Sequence, residues 1–126
     1  MNNEFSNCIK VALLSDVEKI DQGGVILKAG KNFETFYAAD FSLDPQTQEG
    51  KSSLLHTIVK SLYIDKVPDE AGKLFSVTRR CVIQFDISGR PFILGSMSYP
   101  ALAYITPHLQ AAILKISHKS PEPYKL

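Results

Sequence analysis

The chain has 126 residues, of which 44% are hydrophobic and 21% are charged. This length fits one domain, and both fractions are typical of a globular protein and exclude a disordered one. The chain has 14 lysines and arginines against 13 aspartates and glutamates, a net charge of +1. It therefore lacks the basic excess that is typical of nucleic-acid-binding proteins.

The first part of the chain predicts three strands and a loop. Strands are expected over residues 8–14, 25–27 and 33–38, where β-branched and aromatic residues lie between turn-forming residues. Residues 16–20 are predicted to be a short connection. Residues 40–50 are polar and contain Pro45 and Gly50, which predicts an exposed loop.

Residues 53–64 fit two patterns. Four apolar residues of this segment fall on one face of a helix: Leu55, Ile58, Val59 and Leu62. The same segment also alternates as a strand does, and it is rich in β-branched residues, which favour strands. Because its neighbours are predicted to be strands, we predict a strand here.

A single short helix is predicted near residues 68–75. Pro68 suits the first position of a helix, and Asp69 and Glu70 complement the positive end of the helix dipole. Gly72 weakens this helix, so we expect it to be short.

The strongest local pattern in the chain is a hairpin. Residues 81–87 and 90–94 are strand-like runs separated by Ser88 and Gly89, a pair that suits a two-residue turn. Two further strands are expected over 101–105 and 111–117, separated by residues 106–108.

These elements predict a mainly β fold, either an antiparallel β-sandwich or a small barrel, with one short helix. We expect a single domain over residues 1–126, with an exposed loop at 40–50. Residues 119–126 contain Pro121 and Pro123, which cannot continue a sheet, so an extended C-terminal tail is predicted there.

The sequence contains no motif of enzymatic chemistry. It has no phosphate loop, dinucleotide fingerprint, zinc-protease helix or nucleophile elbow. The histidines, His56, His108 and His118, are not clustered with cysteines or acids as metal ligands usually are. We therefore expect a non-enzymatic protein with no catalytic residue, no metal and no cofactor.

Four residues are candidates for contact with a partner. Arg79 and Arg80 directly precede a predicted strand, and their alternative role is that of a solvated strand end. Phe36 and Tyr37 are adjacent in a predicted strand, so their side chains point to opposite faces. One of them meets a partner or a second layer, unless a covering loop buries both.

The two cysteines and the termini bear on location. Cys8 and Cys81 lie in apolar stretches and are expected to behave as small buried hydrophobes. The sequence does not decide whether they form a disulfide with each other. The N-terminus lacks a basic region followed by a long apolar run, and no stretch is as long and apolar as a membrane span. We expect a cytoplasmic protein with no membrane partner.

Several stretches share a strand-and-turn character and follow one another along the chain. They read DQGGVIL (21–27), SLYIDKVP (61–68), RRCVI (79–83), SGRPFILGS (88–96), YPA (99–101) and ITPHL (105–109). Together they resemble a family of small, mostly uncharacterised proteins from prophages and related mobile elements of gut bacteria.

The resemblance implies a structural or assembly protein from the head–tail or tail region of a phage-type particle. Its partners would be proteins, through self-association or contact with other particle components, and its location the cytoplasm or the virion. It implies no catalytic residue, and nucleic acid is not an expected partner. The alternative is a small protein- or ligand-binding module of the β-sandwich type.

Overall fold

The computed structural model describes residues 5–21, 24–38, 46–49, 54–65, 67–87, 90–108 and 111–121. Within these residues lie ten strands, one α-helix and a single 3-10 turn at Leu14–Asp16. The elements in chain order are β1 (Phe5–Leu13), β2 (Val17–Asp21), β3 (Gly24–Leu27), β4 (Glu34–Tyr37), β5 (Gln46–Glu49), β6 (Leu54–Ile64), α1 (Asp69–Leu74), β7 (Arg79–Ile87), β8 (Arg90–Leu94), β9 (Ala101–His108) and β10 (Ala111–Ser120).

Eight of these strands form one antiparallel sheet in the order β4-β1-β7-β9-β10-β6-β5, with β8 also paired to β7. The ends of β4 and β6 lie together. Ala38 forms a β-bridge with Ile64, and the Asp65 N–H donates a 2.9 Å hydrogen bond to the Tyr37 carbonyl oxygen. The sheet is nevertheless not closed into a barrel. The predicted mainly β fold is confirmed, and the sandwich-like alternative describes it.

The main core lies on the inner face of this curved sheet, where alternate residues of its strands meet. α1 and the residue after it cover this face with Ala71 and Phe75. The rings of Phe75 and Phe36 pack edge to face, 5.9 Å apart at 78°. The Phe75 carbonyl oxygen also accepts a 2.8 Å hydrogen bond from the Ile105 N–H, which ties the end of the helix to β9.

A second, smaller layer covers part of the outer face. β2 and β3 form a separate hairpin, and its Val17 and Val25 pack with Ala12 of β1 and Val82 of β7. The Val25 N–H donates a 3.2 Å hydrogen bond to the side-chain oxygen Oε1 of Gln84. The hairpin therefore hides the outer side of β1 and β7.

Of the segment predicted at 53–64, residues 54–64 form the strand β6, as predicted, in spite of their helical pattern; residue 53 lies outside the described ranges. β6 pairs with β10 over nine residues, from His56 with Ser120 to Ile64 with Ala112. The predicted short helix is also confirmed, with Pro68 immediately before it. In the predicted hairpin, β7 and β8 pair from Ile83 with Leu94 to Ile87 with Arg90.

The structure differs from the sequence prediction at several element ends. Residues 16–20 are not a plain connection, because most of them belong to β2. Of the loop predicted at 40–50, residues 46–49 form β5, since their backbone groups pair with β6; the other residues of that loop lie outside the described ranges. β9 continues through residues 106–108, and β10 includes residues 119 and 120 of the predicted tail. Residues 122–126 lie outside the described ranges.

Cys8 and Cys81 are not joined by a disulfide. Cys81 points into the core and Cys8 is only partly buried. Burial raises the pKa of the Cys81 thiol to about 12, so this group stays protonated and unreactive at neutral pH.

None of the helices in the described residues is long and apolar enough to cross a membrane.

Candidate functional site

The outer surface of the main sheet is covered over one half only. The β2–β3 hairpin packs against β1 and β7, whereas none of the described elements packs over the outer side of β9, β10 and β6. We call this second region the open face. It consists of nine side chains: Val59, Ser61 and Tyr63 of β6; Ile113, Lys115 and Ser117 of β10; and Leu102, Tyr104 and Thr106 of β9.

Strand register arranges these side chains in three rows across the sheet. Directly paired residues of antiparallel strands point to the same side, so each row is a line of neighbouring side chains. The rows are Tyr63–Ile113–Thr106, Ser61–Lys115–Tyr104 and Val59–Ser117–Leu102.

Three apolar side chains of the open face are exposed to solvent. Val59 is 74% exposed, Tyr63 61% and Leu102 40%. The region ends beside Thr57, which is only 4% exposed. Several exposed apolar side chains on one sheet face are more informative than scattered ones, because they mark a region where burial is available to a partner.

Basic side chains accompany this apolar surface. The Lys115 ammonium nitrogen lies 5.7 Å from the centre of the Tyr104 ring, a distance that allows cation–π attraction. Arg80 of β7 pairs with Leu102 and is exposed, so it extends the third row. Lys119, also exposed, follows Ser117 on the outer side of β10.

The four residues predicted as partner contacts lie in different places. Arg80 borders the open face, whereas Arg79 is half-buried and donates a 2.7 Å hydrogen bond from Nε to the carbonyl oxygen of Leu74. Tyr37 is 55% exposed on β4, and Phe36 is buried in the core. The structure therefore does not bring the four together, and Arg80 is the member that borders the open face.

Sequence reasoning did not single out Val59, Tyr63 or Leu102. Because side chains alternate along β6 and β9, each of the three lies on the opposite face of its strand from an adjacent core residue. The sequence does contain this signal. The sequence does not reveal where the β2–β3 hairpin folds, and that decides which outer residues remain exposed.

The structure describes the side chains of two histidines, His56 and His118. His118 is buried on the inner side of β10, with Nε2 2.8 Å from the carbonyl oxygen of Tyr99. His56 pairs with Ser120, and the side chain of His108 lies outside the described residues. In the part of the chain that the structure describes, no three His, Cys, Asp or Glu residues are grouped as a metal site.

The open face thus offers apolar area, two tyrosine rings and basic groups on three hydrogen-bonded strands. Such a surface is suited to binding, because its strands hold the side chains in a fixed array and the apolar ones are available for burial. Comparison of the chain with protein-family models, with curated proteins and with solved structures finds no match.

Proposed function

We propose that this chain is a non-enzymatic structural or assembly protein that binds another protein through its open face. The observation that carries the proposal is the uneven cover of the sheet. One half of its outer surface is sealed by the β2–β3 hairpin, and the other half presents Val59, Tyr63 and Leu102 to solvent. Burying such side chains is the main favourable term in protein association.

The rigidity of the support favours an assembly role. β10 is paired on both sides, with β6 and with β9, so the centre of the open face is held by two complete ladders. A preorganised surface loses little conformational entropy when it binds. Structural components of a particle need interfaces of this kind, since their contacts must repeat with the same geometry.

The place of this assembly is proposed from the resemblance to prophage proteins alone. On that basis the partner is a component of the head–tail or tail region of a phage-type particle. A β-rich scaffold with one uncovered face is compatible with such a position.

A small binding module that grips a single protein or ligand is the alternative, and it would use the same face. The two functions differ in what is bound. An assembly protein meets a component of a particle, whereas a module binds a partner outside any particle.

Site-specific photo-cross-linking tests the proposal. A photoreactive phenylalanine analogue is placed at Val59 or at Tyr63, and the protein is produced in its native host. The matched control places the same analogue at Ile26, which is 36% exposed on the covering hairpin. We expect a discrete product with a second protein from positions 59 and 63 and none from position 26.

The identity of the cross-linked protein decides between the candidates. A head or tail component supports the assembly function. A protein unrelated to any particle overturns it in favour of the binding module, and a second copy of this chain overturns the choice of partner. The same product from all three positions, or no product, would show that the open face is not a binding surface.

A further inference from the structure

We propose that the partner of the open face is an extended, acidic segment of another protein, in which carboxylates alternate with apolar side chains. This inference rests on the proposed function and adds the chemistry of what is bound. It follows from three features of the face: its charge, its size and the spacing of its side chains.

The charge of the face has one sign. Lys115 lies at its centre, with Arg80 and Lys119 at its border. Among the residues whose side chains the structure describes, the strands contribute no carboxylate to this face; Asp65 lies beyond the end of β6. A matching partner therefore supplies acidic groups, since complementary potentials steer association and like charges oppose it.

The size of the face fits a segment better than a globular surface. Three strands span about 10 Å between the outer two, and five residues along a strand span about 13 Å. The nine side chains of the face are also well below the roughly 20–30 residues that each side of a standard globular interface contributes. An extended peptide of a few residues covers such an area.

The same facts disfavour two other occupants. A second copy of this chain would bring Arg80, Lys115 and Lys119 against an equally basic surface, and nine side chains are fewer than a standard dimer interface uses. Single-stranded nucleic acid would use stacking on aromatic rings. Here the lysine over Tyr104 occupies a ring, and aliphatic Val59 and Leu102 supply much of the exposed area.

The spacing of the rows defines the expected sequence of the partner. Val59, Ser61 and Tyr63 repeat every second residue, as do Leu102, Tyr104 and Thr106. An extended partner repeats with the same period. We therefore expect alternate residues of the bound segment to contact the face, some with apolar and some with acidic side chains.

Selection from a displayed library of random short peptides tests this inference. The purified chain is the bait, and a charge-reversed variant, R80E/K115E/K119E, is selected in parallel. The control variant is K19E/K28E/K31E, which changes the net charge equally through exposed lysines of β2 and of the connection after β3. Circular dichroism first establishes that each variant is folded; if R80E/K115E/K119E is not, K115Q takes its place.

We expect the chain to enrich peptides that combine Asp or Glu with aliphatic or aromatic residues. Their affinity should fall by about tenfold or more for the charge-reversed variant, and less for the control. With the K115Q variant a smaller loss in the same direction is expected. Peptides without acidic bias would overturn the inference, and so would enrichment of none.

Two further arms separate the inference from the proposed function. The enriched peptides are titrated against V59T/L102T, which removes apolar area from the face but no charge. Unchanged binding would mean that the peptides use another surface, which contradicts the proposed function. If the enriched peptides are not acidic and V59T/L102T fails to bind them, the open face is still a binding surface. That result would support the proposed function and contradict only the acidic partner. Binding of oligothymidylate in preference to every peptide would replace the protein partner by nucleic acid.

Discussion

The Nε2 atom of His118 lies 2.8 Å from the carbonyl oxygen of Tyr99, which joins the inner side of β10 to the connection between β8 and β9. His118 is 7% exposed. Burial lowers the pKa of its imidazole below 6.5, and the hydrogen bond to Tyr99 opposes part of that shift. His56 and Lys60 lie on the same side of neighbouring β6, since they flank Ile58, the residue paired with His118.

This relationship predicts a loss of stability in mild acid. The folded protein favours the neutral imidazole, so the stabilisation is complete above the unfolded pKa of 6.5 and is lost as the pH falls through the lowered folded value. Urea denaturation between about pH 7.5 and 5 should give a free energy of unfolding that decreases with falling pH. H118Q should make this dependence shallower. An H118Q variant with the full wild-type decrease would contradict the prediction.

Among the glycines that the structure describes, Gly95 should be the least tolerant of substitution by alanine. Its φ is +105°, and a Cβ there would lie 2.9 Å from the Ala101 nitrogen and 3.2 Å from the Cys81 carbonyl oxygen. We expect Gly95→Ala to lower the free energy of unfolding by about 3 kcal/mol, because backbone strain and overpacking add. Urea denaturation measures this loss.

Gly30→Ala is the matched control for that substitution. Gly30 also has a positive φ of +80°, but nothing lies within 4 Å of a Cβ built on it. Its substitution should cost only the backbone term, about 1 kcal/mol. Equal losses for the two variants would show that the contacts of Gly95 with Ala101 and Cys81 are unimportant.

Phe75 is expected to be a principal core contact, because it joins the helix to the sheet. The side chain is fully buried and packs edge to face on Phe36. Phe75→Ala should lower the free energy of unfolding by about 4 kcal/mol through lost burial and a cavity. Val77→Ala, two residues away at a site that is 54% exposed, should change it by less than about 0.5 kcal/mol. Thermal or urea denaturation compares them, and similar losses would count against this packing.

The side chains of the open face should be nearly irrelevant to stability in the isolated protein. Val59→Thr and Tyr63→Thr each place a β-branched residue in β6, which suits a strand, and remove apolar surface that the fold leaves exposed. Each should change the free energy of unfolding by less than about 1 kcal/mol. Leu62→Ala on the same strand is the control, since Leu62 is 3% exposed and its truncation should cost about 3 kcal/mol. A loss at Val59 as large as that at Leu62 would mean that the face is packed.

Much of the fold could be predicted because local patterns agree with tertiary pairing. The β7–β8 hairpin has turn residues between two β-rich runs, and the structure pairs these runs in register. In β6 the β-branched residues outweighed a helical pattern, and pairing with β10 completes the strand. At these places local preference and long-range contacts favour the same structure.

Two strands were missed because their local sequence does not favour strands. β2 contains Glu18, Lys19 and Asp21, and its pairing with β3 shifts register between Val17 and Lys19. β5 (Gln46–Glu49) is polar and follows a proline. Both strands are stabilised by backbone hydrogen bonds to a neighbouring strand. The strand preferences of single residues do not account for such bonds.

The open face was predictable only in part. The sequence indicated Arg80 as a candidate contact, and alternation along the strand predicted at 111–117 puts Ile113, Lys115 and Ser117 on one face. It gave no reason to prefer this face over the other outer faces. That choice depends on the docking of the β2–β3 hairpin, whose contacts with Val82 are distant in sequence.

Cysteine labelling tests most directly the claim that the outer side of β6 is uncovered. Val59→Cys and Ile58→Cys are made separately in a Cys8→Ser background. They are neighbours on one strand with 74% and 1% exposure. Cys81 is a buried internal reference whose thiol stays protonated. Under native conditions, Val59→Cys should react with a maleimide about as fast as an unfolded thiol, and Ile58→Cys only on unfolding. Equal protection at both positions would show that this face is covered and would contradict the account.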